Sequence, residues 1–285
     1  MLEPLRSLRA RLGCLEGLRF LWLEITPKCN LSCIHCYADS GPALPLSGAM
    51  DFDDWCRLME EARALGCRWL QFIGGEPTLH PDLPALLEHA RDVGFPHREV
   101  FTNATRLDDS LLDTFRECRV RVSFSFYSSD PEIHDRITGQ PGSHEKTVAG
   151  IRRLVKRRVR VHAGVIRMPG NASRVRSAKW FLRRLGVWSI ATDRVRGVGR
   201  GTSLAPRSSP RGELCGSCWS GLLSVDANGN AYPCVFSRSF VVGNYLEDGM
   251  TGILEGARLR DFRRRIYLGE REGCGSDAGK MRAVP

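Results

Sequence analysis

Cys29, Cys33 and Cys36 lie together in the run ITPKCNLSCIHCY. Three thiolates on one short loop can hold three irons of a [4Fe–4S] cluster and leave the fourth iron open to an exogenous ligand. A structural zinc site usually pairs C-x-x-C knuckles with a fourth protein ligand, which this loop alone does not supply. A second set, Cys215, Cys218, Cys234 and Cys274, falls in the C-terminal part of the chain. Four thiolates there suit one further [4Fe–4S] cluster or a tetrahedral all-thiolate zinc site. The remaining four, Cys14, Cys56, Cys67 and Cys118, fall on expected helices or at element ends and read as small core hydrophobes. Eleven cysteines in a long chain with no export signal argue for metal or redox chemistry over a disulfide framework.

Short apolar strands alternating with amphipathic helices must position these groups. Strands are expected at Phe20–Thr26, Arg68–Ile73, Glu99–Thr102, Val120–Phe126, Arg160–Ile166 and Val187–Asp193. Helices are expected at Asp51–Leu65, Leu83–Val93, Asp109–Glu117, Ala172–Leu185 and from an N-capping Ser143 to Arg157. The alternation specifies a parallel sheet with crossover helices, and with no G-x-G-x-x-G it points to an incomplete barrel rather than a doubly wound sheet. The triad then sits in the loop after strand one, at the barrel's C-terminal face, where active sites of such barrels lie. Asn103, at the end of strand three, points to the same face. Periodicity fails over Arg196–Pro210 (RGVGRGTSLAPRSSP), which reads as a linker. Beyond it, Asn228-Gly229 between apolar runs signals a β-hairpin.

The cysteine spacing, followed by Gly74-Gly75-Glu76-Pro77 at the end of strand two, resembles the radical S-adenosylmethionine (SAM) superfamily. His35 stands where that signature has an aromatic residue. The resemblance covers roughly Phe20 to Asp193 and implies an α/β fold, a partial (β/α)6 TIM-type barrel. It also implies a [4Fe–4S] cluster whose unique iron chelates the amino nitrogen and carboxylate of SAM. Reductive cleavage then gives methionine and a 5′-deoxyadenosyl radical that abstracts hydrogen from an unactivated C–H bond. In this reading Gly74 and Gly75 let backbone carbonyls approach the methionine ammonium, and Glu76 supplies charge or supports the strand end. Ser125 matches the serine that meets the ribose, and Asn103 contacts SAM or substrate. The family's V-S-x-D-G-P and H-D-x-x-R-G runs are altered, with Tyr127 and Thr138 at the Asp and Arg positions. Carboxylate recognition then falls to Arg136, Arg167, Arg196 or Arg200. His134 and Asp135 either cap the following loop or join the site.

The C-x(n)-G-x4-C hairpin of Cys218, Gly229 and Cys234 resembles the auxiliary-cluster modules called SPASM and twitch domains. Leu214–Ser237 is also similar to a segment of the GTP cyclase of molybdopterin synthesis. The expected organisation is therefore a barrel at 1–200 and a cysteine-rich annex at 201–285 with one auxiliary cluster, zinc being the alternative.

Net charge is +10, with 42 basic residues of which only Lys28, Lys146, Lys156, Lys179 and Lys280 are lysines. This balance favours acidic partners. Enzymes with such annexes mostly modify peptides, so maturation of a ribosomally made precursor peptide, by crosslinking or oxidation, is the leading expectation. Radical oxidation of a small metabolite is the alternative. A non-catalytic iron–sulfur or zinc protein binding nucleic acid is a distant third. The expected partners are the substrate, an electron donor such as a flavodoxin or ferredoxin, and a separate leader-recognition protein. No membrane or nucleic acid is expected, and a cytoplasmic location follows from the lack of a signal peptide or membrane-length apolar run.

Overall fold

A computed structural model describes residues 17–205 and 213–268. Cys14 and Cys274 lie outside these residues. The first six strands are β1 (Phe20–Thr26), β2 (Trp69–Gly74), β3 (His97–Thr102), β4 (Arg121–Phe126), β5 (Arg160–Arg167) and β6 (Ile190–Arg194). Each pairs in parallel with the next, as expected for a partial (β/α)6 barrel. The connecting helices are α1 (Phe52–Ala64), α2 (Leu83–Asp92), α3 (Asp109–Glu117), α4 (Pro131–Thr138), α5 (Ser143–Lys156) and α6 (Val175–Arg184). The annex adds β7 (Leu222–Asp226), β8 (Asn230–Tyr232), β9 (Gly243–Asn244), α7 (Tyr245–Glu255) and α8 (Ala257–Tyr267).

Strand alternation separates the two faces. Leu21, Leu23 and Ile25 of β1 are buried in the main core, together with Leu70, Phe72, Val100, Val122 and Phe124 and the helix residues Trp55, Leu58 and Phe115. The polar Glu24, Glu99 and Ser123 occupy the alternate positions and are also buried, with Ser123 hydrogen-bonded to Glu99. Each large apolar side chain so buried contributes about 1.5–3 kcal/mol, so the outer face holds the barrel while the polar inner face is left for chemistry.

The annex hairpin forms as expected. Gly229 takes φ +82°, and Asp226 accepts from the backbone N–H groups of Asn228 and Asn230. Its sheet is not separate from the barrel's, because β7 runs parallel to β1 from Phe20↔Leu222 to Glu24↔Asp226. The sheet order is β6-β5-β4-β3-β2-β1-β7-β8-β9.

Two expectations are corrected, at Ser143 and at the linker, and of the two alternatives for Asp135 the capping one is observed. Ser143 is not an N-cap: Gly142 occupies that position in a left-handed conformation, and Ser143 is the first helical residue. Asp135 performs the capping, accepting from the backbone N–H of Gly142 at 2.6 Å and of His144 at 2.7 Å and from the Ser143 hydroxyl at 2.8 Å. His134 and Asp135 lie inside a helix, α4, that periodicity did not reveal. Finally, the described part of Arg196–Pro210 is no free linker, because Gly199–Ser203 forms a 3-10 turn packed on the cysteine loop.

Candidate active site

The cysteine loop begins where β1 ends in a register shift between Glu24 and Thr26. Three neighbours hold its backbone. The end of β2 contributes Gly75 N–H to Thr26 O at 2.6 Å and Glu76 N–H to Lys28 O at 2.8 Å. The C-terminus of α4 accepts from Ser32 and Ile34, each at 3.0 Å. The 3-10 turn sends Arg200 N–H to Cys36 O at 3.0 Å, and the Arg200 guanidinium reaches Cys33 O at 2.8 Å and Ser40 O at 2.7 Å.

These clamps explain the glycines. A Cβ on Gly75 would lie 2.2 Å from Lys28 O, and one on Gly74, already at φ +144°, would lie 2.3 Å from Thr26 O. The pair therefore permits the close approach of β2 to the loop that carries the thiols. Glu76 is fully buried and ties two strand ends together. It accepts from Asn103 N–H at 2.6 Å and from the hydroxyls of Thr102 at 2.6 Å and Thr78 at 2.7 Å. Burial pushes its carboxyl up and these donors oppose the shift. Of the two roles expected for Glu76, support of the strand end is visible, and Pro77 opens the short 3-10 turn that follows.

Asn103 reaches the loop, donating to Asn30 Oδ1 at 2.8 Å with Cys29 Sγ at 3.9 Å. The Tyr127 hydroxyl lies beside the Ser125 side chain and near Cys33. The Tyr127 ring packs edge-on against half-buried His35 at 4.9 Å. Burial, aided by the charge of Arg200, pushes His35 down to about 4. Thr138 turns away from this group, bonding to Asp135 O and to the Ser143 hydroxyl. Among the arginine candidates, Arg196 grips Asp193 through both carboxylate oxygens and Arg200 is engaged by the loop carbonyls. Arg136 and Arg167 are exposed.

The three thiols sense one another, and burial raises Cys29 to about 12 and Cys33 further still. Bare thiols in such a place stay protonated and unreactive, whereas a bound metal displaces the proton. Together with the clamped loop, this donor set fits an iron–sulfur cluster. No three His, Cys, Asp or Glu side chains among the described residues are gathered as a single metal ion would require.

In the annex, Cys218 and Cys234 are buried in a small apolar cluster with Leu214, Phe262 and Ile266. Cys218 donates to Cys234 at 3.4 Å. The neighbouring Cys218 thiol, against burial and with help from Arg196, holds Cys215 down to about 5. The expected fourth member, Cys274, is outside the described residues. Cys67 and Cys118 are fully buried as core residues, and Cys56 is half-buried.

Sequence reading missed Tyr37, which follows Cys36 and joins the two cysteine sets. Its ring meets Phe236 edge-on at 5.4 Å, and its hydroxyl senses both Cys36 and Cys234. It also missed the buried pair of Glu24 with Arg238, whose guanidinium lies over Tyr232. The G-V-G-R-G spacing was the available signal for the loop clamp, since a Cβ on Gly199 would meet Cys36 O at 2.4 Å.

Comparison with known proteins agrees with this arrangement. Residues 23–172 match the radical SAM superfamily, and residues 211–276 match SPASM, an iron–sulfur cluster-binding domain. The AdoMet-dependent heme synthase of Methanosarcina barkeri is 34% identical over 140 residues, 48% of this chain and 39% of that protein. The antilisterial bacteriocin subtilosin biosynthesis protein AlbA of Bacillus subtilis is 24% identical over 265 residues, 81% of this chain and 58% of that protein. The chain thus spans less than two thirds of either relative. SuiB of Streptococcus suis, solved bound to precursor peptide SuiA, superposes with a TM-score of 0.73 at 13% identity, covering 91% of this chain and 71% of that one, a likeness of fold. These domains bring [4Fe–4S] clusters and SAM as cofactors. With more than half of its residues matched and three thiols clamped at the C-terminal end of a parallel sheet, the chain belongs to the radical SAM superfamily.

Proposed function

We propose that the protein matures a ribosomally made precursor peptide by radical chemistry, introducing a crosslink or an oxidation. When bound, the cluster and SAM supply a 5′-deoxyadenosyl radical for hydrogen abstraction. Cys29, Cys33 and Cys36 hold the cluster, and His35, Tyr127 and the Arg200 clamp fix the loop that presents it. Gly74, Gly75, Glu76 and Pro77 shape the adjoining strand end, while Asn103 and Ser125 are placed to orient SAM. Cys215, Cys218, Cys234 and Cys274 hold an auxiliary cluster in the annex at 201–285, beyond the barrel at 1–200.

The observation that carries the reading is a loop bearing three cysteines whose backbone is clamped by β2, α4 and the 199–203 turn. The peptide substrate is supported by AlbA's role in bacteriocin biosynthesis and by SuiB's bound precursor. An open sheet, ending at β6 on one side and β9 on the other, also suits an extended substrate. The heme synthase match favours a second reading, a small-molecule substrate. An electron donor of the flavodoxin or ferredoxin type and a separate leader-recognition protein complete the system. A cytoplasmic setting agrees with the absence, among the described residues, of any helix long and apolar enough to cross a membrane.

The test is anaerobic reconstitution with iron and sulfide, then dithionite and SAM, quantifying 5′-deoxyadenosine beside iron per chain. Production that disappears in Cys33→Ala supports the reading. Cluster-loaded protein that fails to bind SAM overturns it. Incubation with a precursor peptide, scored by loss of hydrogen mass, separates peptide from metabolite chemistry.

A further inference from the structure

The sheet's barrel edge is open. β6 pairs with β5 on one side and with no strand among the described residues on the other. Ala191 and Thr192 are exposed, β6 carries no proline, and its two charges, Asp193 and Arg194, are paired with Arg196 and Glu213. Helix α6 beside it buries only Ala178 and Leu182. Trp180 on that helix is 57% exposed, and Trp188, just ahead of β6, is 78% exposed. Large aromatic surface left in water beside unpaired backbone is the combination that strand-adding peptide sites use.

The electrostatics select the occupant. Arg174, Arg176, Lys179, Arg183 and Arg184 crowd this stretch, whose single acid, Asp193, is already held by Arg196, while Arg194 is paired with Glu213. The Arg184 guanidinium lies 4.6 Å from the Trp180 ring centre, keeping cation and aromatic surface together. Direction matters as well. β6 runs to Arg194, and the chain continues through Arg196 to the Arg200 clamp on the cysteine loop. Five residues of strand at about 3.3 Å each would carry a bound segment roughly 17 Å toward that face.

We propose that the β6 edge and the exposed face of α6 receive an acidic, extended segment of the substrate peptide as an added strand. This rests on the peptide-maturation reading above. Main-chain hydrogen bonds to β6 supply affinity, the two tryptophans anchor alternate side chains, and the arginines select for acid.

Hydrogen exchange on the full-length protein tests it, with an alternating glutamate–valine decapeptide as probe and the lysine–valine counterpart as control. Slowed exchange over residues 190–193 with the acidic probe alone is expected. Both tryptophans are exposed, so Trp180→Ala/Trp188→Ala should fold normally and weaken binding by about tenfold or more. Arg183→Glu/Arg184→Glu should weaken it without altering the free protein's exchange. No protection over 190–193, or equal protection by the lysine–valine peptide, overturns the proposal. So does protection already present without probe at the amides that face away from β5, which would mean that another segment of the chain sits there. Stronger protection by a mixed-sequence RNA oligonucleotide overturns it in favour of nucleic acid. Assaying 5′-deoxyadenosine on the same cluster-loaded preparation keeps the two readings apart. Cleavage without peptide protection removes only the docking site, and protection without SAM binding removes only the enzyme reading.

Discussion

The two cysteine sets differ in what holds them. Around Cys29, Cys33 and Cys36 the backbone is fixed from three sides, while burial pushes the Cys29 and Cys33 thiols up. Around Cys215, Cys218 and Cys234 the sulfurs interact with one another, the Cys218 thiol donating to Cys234 at 3.4 Å. The first arrangement is a loop whose backbone is held from three sides, the kind of frame the proposed SAM-binding cluster would need. The second is a packed pocket in which sulfur meets sulfur, suited to a closed site that passes electrons or organises the annex. Loop geometry therefore separates a reactive centre from an auxiliary one even where both use the same side chain.

The contrast breaks most sharply with single cysteines. Cys33→Ala should abolish 5′-deoxyadenosine formation and remove about four irons per chain, leaving the annex iron in place. Cys218→Ala should do the reverse, keeping SAM cleavage and losing annex iron and peptide product. If it also ends SAM cleavage in a folded protein, the division between the two sites fails. Gly75→Ala drives a Cβ into Lys28 O and should cost about 1–3 kcal/mol, read from thermal unfolding, with poorer iron loading at the first site only.

Smaller changes sharpen the comparison. Arg200→Lys keeps the charge but cannot span the Cys33 and Ser40 carbonyls together, so a loss of about 1 kcal/mol and faster cluster decay in air are expected. A pH dependence is expected near the first site as well. Burial lowers His134 to about 4, against about 6.5 in an unfolded chain. The unfolded state then binds more protons between those values, so stability should fall as pH drops from about 6.5 to about 4. His134→Phe, placed among Phe126 and Tyr127, should flatten that slope in denaturant titrations across the window.

Sequence made the strands and the chemistry legible because both rest on local signals. Phe20–Thr26 and Asp109–Glu117 match to the residue, since alternation and an Asp108 cap mark them without tertiary help. Helix α4 escaped because PEIHDRIT is short and polar, although Asp130-Pro131 is a proper start signal. Ser143 was misread because a capping group came from Asp135, eight residues upstream, rather than from the N-terminal serine itself. The GVGRG run was misread because glycine spacing signals either freedom or close approach, and only the partner backbone decides between them. Tyr37 and Arg238 were invisible for the same reason, as each earns its place through contacts with distant segments.

The parallel pairing of β1 with β7 bears on how the chain is made. Phe20 pairs with Leu222, so roughly two hundred residues must be synthesised before the outer edge of β1 finds its neighbour. At about 5–20 residues per second that is on the order of ten to forty seconds with an apolar strand edge open. A chain stopped before β7 should therefore aggregate rather than fold as a barrel, and nascent protein should engage chaperones until the annex emerges. Assembly of the annex is thus a step in completing the barrel, not an addition made after the barrel has folded.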